Sequence, residues 1–210
     1  MSTLAELTTN IAADLKDAGN VTWSPEELAR AVRWTLLELS RTLPRHASAV
    51  LTASEDVREY ALSTTGIMHA LYVVEVWHPY TAGDPEYPPR AVPWRLLDDD
   101  TLYLDVDTVS QGEGIRIFYA HPHTIDGLDD ATATTLTSEQ EELVCIGAAG
   151  YAALQRAQEA IGQVNVTSEA PRLWRQWGEQ RLAEFRRRLK ALAPSQAPSL
   201  DTRITWSTQQ

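Results

Sequence analysis

The sequence predicts an α+β protein: a four-helix bundle with a small antiparallel β-domain inserted between helices 2 and 3, and an extended C-terminal tail. Three observations lead there. Apolar residues recur at helical spacing near both ends of the chain. From Val57 the pattern turns to short β-branched and aromatic runs. After Ala193 no helical period remains. The expected segments are 1–56 for the N-terminal helices, 57–136 for the β region, 137–193 for the C-terminal helices and 194–210 for the tail.

Residues 2–17 form the first expected helix. Leu4, Leu7, Ile11 and Leu15 step by three, four and four, which lines one helix face, and Gly19–Asn20 ends it. The second helix has a complete start signal: Ser24 as cap, Pro25 at the first helical position and Glu27 closing a capping box. It runs to about Arg41, with Leu28, Val32, Thr35, Leu36 and Leu39 as its inner stripe, and Leu43–Pro44 stops it.

Five strands are expected next: 57–62, 70–78, 92–97, 101–106 and 114–120. The third and fourth flank Asp98–Asp99–Asp100, as a hairpin would. In the last, Ile115, Ile117 and Tyr119 alternate with Arg116, Phe118 and Ala120. Residues 79–89, with four prolines and a glycine, form an exposed loop, and 121–137 cross back to the helices.

The organising element is the helix 138–160, SEQEELVCIGAAGYAALQRAQEA. Ser138 with Glu141 reads as its capping box. Gly147, Ala148, Ala149, Gly150, Ala152 and Ala153 leave it thin through the middle. Glycine inside a helix costs about 1 kcal/mol relative to alanine, so two of them imply a reason. Close approach by other backbones is one; a buried helix that is merely rich in small residues is the other. Pro171 starts the last helix, whose stripe is Trp174, Leu182, Phe185, Leu189 and Leu192. In the tail, Ile204 and Trp206 alternate as a strand or an anchor would, or they fold back on their own domain.

With 210 residues and a net charge of -11, the chain has room for a real core and repels phosphates in bulk. Its charge is uneven: residues 58–136 hold thirteen acids and four bases, residues 171–210 eight bases and three acids. Such a chain can pair with copies of itself or with a differently charged partner. No apolar run approaches the ~18 residues of a membrane helix, and the first residues lack the basic-then-apolar run of a signal peptide. The single cysteine, Cys145, excludes an internal disulfide and reads as a small buried side chain.

No G-x-S-x-G, phosphate-cradling loop, dinucleotide fingerprint or HExxH occurs. His121, His123 and Asp126 are the best metal candidates, and the expectation that goes with them is a metal-dependent hydrolase. Against it, Pro122 reads as a turn and no second cluster fixes a geometry. A β-domain binding module acting through Trp77, Tyr80, Tyr87 and Trp94 is a further alternative, although these aromatics also suit a small β core. Neither outweighs a reading without catalytic residues, metal or cofactor.

Several stretches together resemble the head-to-tail connector (adaptor) proteins of tailed bacteriophages. WSPEELARAVRWTLLELS (23–40) is similar to that family's second helix. REYALST (58–64) and ALYVVEVWHP (70–79) are similar to the first strands of its β region. GIRIFYAHPHTIDGL (114–128), followed by a threonine-rich crossing and EELVCIGAAGYAALQRA, is the nearest match, and the Trp- and Arg-rich last helix with its polar tail also fits. The 79–89 loop has no counterpart in the pattern. The resemblance implies a structural virion protein and no enzyme. Its copies would form a ring, of twelve, in the neck of the particle at the head–tail interface after assembly in the host cytoplasm. The partners implied are the portal protein above and a tail or neck protein below, with no membrane. DNA would pass through the channel during packaging retention and genome ejection without sequence-specific binding. The resemblance makes Arg186, Arg187, Arg188, Arg203, Ile204 and Trp206 candidate portal-binding or partner-binding residues.

Overall fold

The structure is a computed structural model that describes residues 2–82, 90–160 and 169–196, with side chains described as far as Ala193. Two compact units make it up: the described residues of Met1–Leu43 with Ile125–Gln210, and Pro44–Thr124.

The first unit is helical. Helix α1, Leu4–Asp14, starts at Thr3, whose hydroxyl accepts from the Glu6 amide while Glu6 reaches back to the Thr3 amide. It stops at Asp14, three residues short of expectation. Lys16 and Asn20 take left-handed φ values of 59° and 50°, and the Asp17 carboxylate accepts the amides of Val21, Thr22 and Trp23 at 2.9–3.0 Å. That ring of bonds turns the chain. Helix α2, Pro25–Thr42, begins with the capping box between Ser24 and Glu27 and buries the expected stripe.

Helix α3, Ser138–Ala160, has the expected span but a different cap. Thr137, not Ser138, makes the box: its hydroxyl accepts from the Gln140 amide, and the Gln140 side chain accepts from the Thr137 amide. Glu141 is drawn elsewhere, to the Ser2 amide (2.8 Å) and hydroxyl (2.9 Å). Thr134 completes this clamp by donating to the Ser2 carbonyl at 2.6 Å. Helix α4, Glu169–Gln196, begins two residues before Pro171 and runs past Ala193 into the expected tail. A proline in the first helical turn removes no hydrogen bond.

α1, α2 and α4 all pack on α3. A Cβ built on Gly150 would lie 2.9 Å from Leu182 Cγ and 3.1 Å from the Gly178 carbonyl oxygen; one on Gly178 would lie 2.9 Å from the Gly150 oxygen. One on Gly147 would lie 2.5 Å from Thr35 Cγ2 and 3.1 Å from the Phe185 ring. The glycines therefore mark close approach, the first of the two explanations open from the sequence. Around them Leu28, Leu39, Leu143, Val144 and Phe185 form one buried cluster that also takes in Ile125, Leu128 and Leu136. Trp23 closes it, its indole N–H donating to the Ala152 carbonyl and its ring meeting Trp174 edge-on at 6.2 Å.

The second unit holds two antiparallel sheets of three strands each. One is ordered β1 (Arg45–Thr52), β6 (Gly114–His121), β3 (Tyr72–Tyr80); the other β2 (Glu59–Ala61), β5 (Thr101–Leu104), β4 (Trp94–Leu96). The hairpin around Asp98–Asp100 is present, because β4 pairs with β5. Ile115, Ile117, Val73 and Val76 share a buried cluster with Leu62, Leu102 and Leu104 of the other sheet.

The expected fold class needs correcting. Among the described residues the chain is α+β, with four helices and two small sheets, but not a four-helix bundle with a β-domain inserted between helices 2 and 3. α1 and α2 precede the strands, α3 and α4 follow them, and the helices are arranged about α3. The described strands make two sheets, and both belong to one compact unit. The sixth strand, β1, lies in a stretch assigned above to the N-terminal helices; its alternation rests on Ala47, Ala49 and Leu51, a weak signal because two of the three are alanines, and its pairing with β6 from Arg45–His121 to Thr52–Gly114 defines it. The unit boundaries accordingly fall after Leu43 and Thr124. Pro79 and Tyr80, read as loop, end β3, while 83–89 and the tail residues 197–210 lie outside the described residues.

The contact at Gly150 and Gly178 makes a sharp expectation. Gly178→Ala gains ~1 kcal/mol of helix propensity, yet the added methyl meets a carbonyl, and overpacking costs about 1–3 kcal/mol. Urea unfolding should give a lower midpoint at unchanged m-value; a raised midpoint would show that the helices have room to spare.

Candidate functional site

The three adjacent arginines of α4 are the candidate residues that the structure describes. Each already has an acidic partner within the helical unit. Arg186 donates through Nε to Glu38 Oε1 at 2.7 Å and through Nη2 to Oε2 at 3.4 Å, and the Tyr151 hydroxyl donates to the same carboxylate at 2.7 Å. Arg187 pairs with Glu184 at 2.7 Å, one helical turn back. Arg188 bridges Glu184 (2.5 Å) and Glu142 of α3 (2.9 Å). The three side chains remain 43–71% exposed. Glu38, Glu142 and Glu184 thus hold an ordered row of guanidinium groups at the surface, each with donors left over, since a guanidinium has five N–H groups. Arg203, Ile204 and Trp206 lie outside the described residues.

The electrostatics follow from those bonds. Burial raises the Glu38 carboxyl, but the Arg186 and Tyr151 hydrogen bonds outweigh it and hold Glu38 below the usual 4.5. Burial first, and then the bond to Glu38, pushes the Tyr151 phenol up. Arg187 and Arg188 hold Glu184 below the ordinary carboxylate range.

The other candidates separate. His121 ends β6, and burial, with Arg45 and His123 nearby, lowers its pKa, which favours the neutral imidazole. His123 is buried. Asp126 is tied through its backbone, its amide donating to Thr134 Oγ1 and its carbonyl accepting from Leu4. Among the described residues no group of three or more His, Cys, Asp or Glu side chains is placed to hold a metal ion. Burial, and then the acids Asp14, Glu141 and Glu142, push the Cys145 thiol up to about 12, which keeps it protonated and unreactive.

Of the aromatics named for a binding module, Trp77 and Tyr80 meet, with ring centroids 6.4 Å apart; Trp94 belongs to the other sheet and Tyr87 lies outside the described residues. Sequence reasoning missed their partner Arg116. Its guanidinium sits 4.9 Å from the Phe118 ring centroid and 5.1 Å from that of Tyr80, and it donates to Tyr80 Oη and Ser48 Oγ. The signal was present: Arg116 and Phe118 alternate with the buried Ile115 and Ile117, so they share the opposite face of β6.

No protein-family model and no curated protein matches this chain. Among the described residues no helix is long and apolar enough to cross a membrane.

Two outcomes follow. Because Glu38 titrates below its unfolded value, its contribution to stability is complete above about pH 4.5 and is lost as the pH falls through the lower folded value. Melting temperatures measured from pH 7 to pH 3 should fall less steeply for Glu38→Gln than for the unaltered chain; parallel curves would mean that Glu38 is not held down by Arg186. Cys145 in the folded protein should react with iodoacetamide at pH 8 at less than about a tenth of the rate of free cysteine, followed by mass spectrometry. A rate equal to free cysteine would place the thiol in a different environment.

Proposed function

We propose that this protein is a structural component of a tailed-phage virion, a head-to-tail connector. Its copies form a ring, of twelve, that joins the portal to the tail, retains packaged DNA and gives it a path on ejection. Self, the portal protein and a downstream tail or neck protein are its partners, and the virion neck is its location. It catalyses no reaction.

One observation carries the reading. The stretch nearest in pattern to the connectors, a last strand, a polar crossing and a small-residue helix, occurs as β6, residues 122–137 and α3 in that order. The small residues of that helix have a packing role, since α2 and α4 lie against Gly147 and Gly150. The charge distribution agrees: a protein of net charge -11 repels DNA in bulk, which suits a conduit. The ordered row Arg186, Arg187 and Arg188 offers cations to an acidic portal surface, and Arg203, Ile204 and Trp206 are the candidate anchors beyond it.

The test is co-assembly with a portal protein from the same genome, followed by particle imaging. The full chain should seat as a ring on the portal. A chain ending at Gln196 should melt at the same temperature and dock at least tenfold more weakly. Undiminished docking by the shortened chain would remove the anchor role from 197–210. A folded full chain that ignores an intact portal ring would overturn the neck assignment.

A further inference from the structure

We propose that the outer face of α2 receives the β4–β5 hairpin of a second copy of this chain. The inference deepens the ring reading above and rests on it for the choice of a second copy as the occupant; the two surfaces themselves are read from exposure and charge.

α2 has two unlike sides. Leu28, Ala31, Val32, Thr35, Leu36 and Leu39 are buried. On the other side Arg30, Trp34, Leu37 and Arg41 follow one another at steps of four, three and four, a single stripe of the helix. All four are exposed, Trp34 by 41% and Leu37 by 46%. Of the neighbouring charges on α2, Arg33 grips Asp129 with two nitrogens and Glu38 is held by Arg186 and Tyr151; the exposed Glu26, one turn before Arg30, adds a single acid at the start of the stripe. Arg30 and Arg41 have no acidic partner among the described residues. The stripe is an apolar centre between two uncompensated cations.

The hairpin has the opposite character. Leu96 is 40% and Leu97 48% exposed. Asp98 spends its carboxylate on the Asp100 and Thr101 amides and the Thr101 hydroxyl, and Asp100 binds the Ser63 amide and hydroxyl, so these two build the turn. Asp99 between them has no such partner among the described residues, and neither has Asp105 at the end of β5. Two exposed leucines therefore lie beside Asp99, with Asp105 at the far end of the hairpin, opposite Pro93, and the one cation, Arg95, laid over the Tyr103 ring. In Pro44–Thr124 acids outnumber bases twelve to five, so nothing on that unit's own balance offsets them.

Scattered exposed apolar residues are ordinary. What singles out these two patches is that the balance of unpaired charge is positive on one (Arg30 and Arg41 against Glu26) and negative on the other (Asp99 and Asp105 against Arg95), and matched charge fixes register and partner choice. The contact joins two different patches, so it is heterologous: each copy keeps one free patch of either kind, and repetition closes into a ring when the rotation allows. A contact of one patch with itself would stop at a dimer.

Disulfide trapping tests the pairing on the full chain. In a Cys145→Ala background, one preparation bears Leu37→Cys and another Leu97→Cys. Mixed under mild oxidation, they should form a linked dimer at least tenfold faster than Leu37→Cys mixed with Val21→Cys, a site that is 89% exposed and outside both patches. Adding Arg30→Glu and Arg41→Glu to the Leu37→Cys chain should slow linking at least fivefold, while the melting temperature stays unchanged. Equal rates for the Leu97→Cys and Val21→Cys mixtures, or no effect of the charge reversal, would overturn the proposal. The assay contains no portal, so its failure beside intact portal docking condemns the pairing alone. Linking beside failed docking condemns the neck reading alone.

Discussion

The fold of the helical unit depends on how closely α4 can lie on α3. At Gly150 and Gly178 each helix presents bare backbone to the other, and each position has room for hydrogen where a methyl would meet a carbonyl or Leu182. Glycine in a helix interior is unfavourable by about 1 kcal/mol, so the contact has to return more than that through dispersion between the apposed surfaces. Gly147 does the same for α2, against Thr35, and leaves space for the Phe185 ring. Phe185, Leu143 and Leu39 can then be fully buried together. A bulkier α3 would hold its neighbours apart and leave that cluster open to water.

Polar groups do the remaining alignment, and they do it at ends and corners. Asp17 gathers three amides to turn the chain from α1 toward α2. Ser2, Glu141 and Thr134 tie the start of the chain to the start of α3. Glu38 joins α2 to α3 and α4 through Tyr151 and Arg186. Exposed ion pairs add little stability, about 0–1 kcal/mol each. Their value in the arginine row is positional, because they hold three guanidinium groups in set places while leaving donors unused.

The same economy marks the β unit. Its interior is a sheet-on-sheet cluster mostly of Ile, Leu and Val, with His78 buried beside Glu113, and most of its polar chemistry is outside: the Arg116 group with its aromatics on one sheet, acids and leucines on the hairpin of the other. Groups of this kind recognise surfaces. Exposed groups of this kind suit the assembly role proposed above.

The sequence by itself determined whatever is written within a few residues. The capping box at Ser24, the buried stripe of α2, the span of α3, the alternation of β6 and the hairpin at Asp98–Asp100 are local patterns, and each stands in the structure where the residues indicated. Tertiary structure decided whatever depended on a distant partner. Thr137 and Ser138 both open a box of the right spacing, and Ser2, 139 positions away, settles the choice by taking Glu141. β1 alternates only weakly, through Ala47, Ala49 and Leu51, and its pairing with β6 defines it as a strand. The arginine row was visible as composition, but its acids are not: Arg188 meets Glu142 across 46 positions and Arg186 meets Glu38 across 148. Hydrogen bonds and van der Waals contacts act over a few ångströms of space. Sequence displays only the ones that the helix or strand period brings close along the chain.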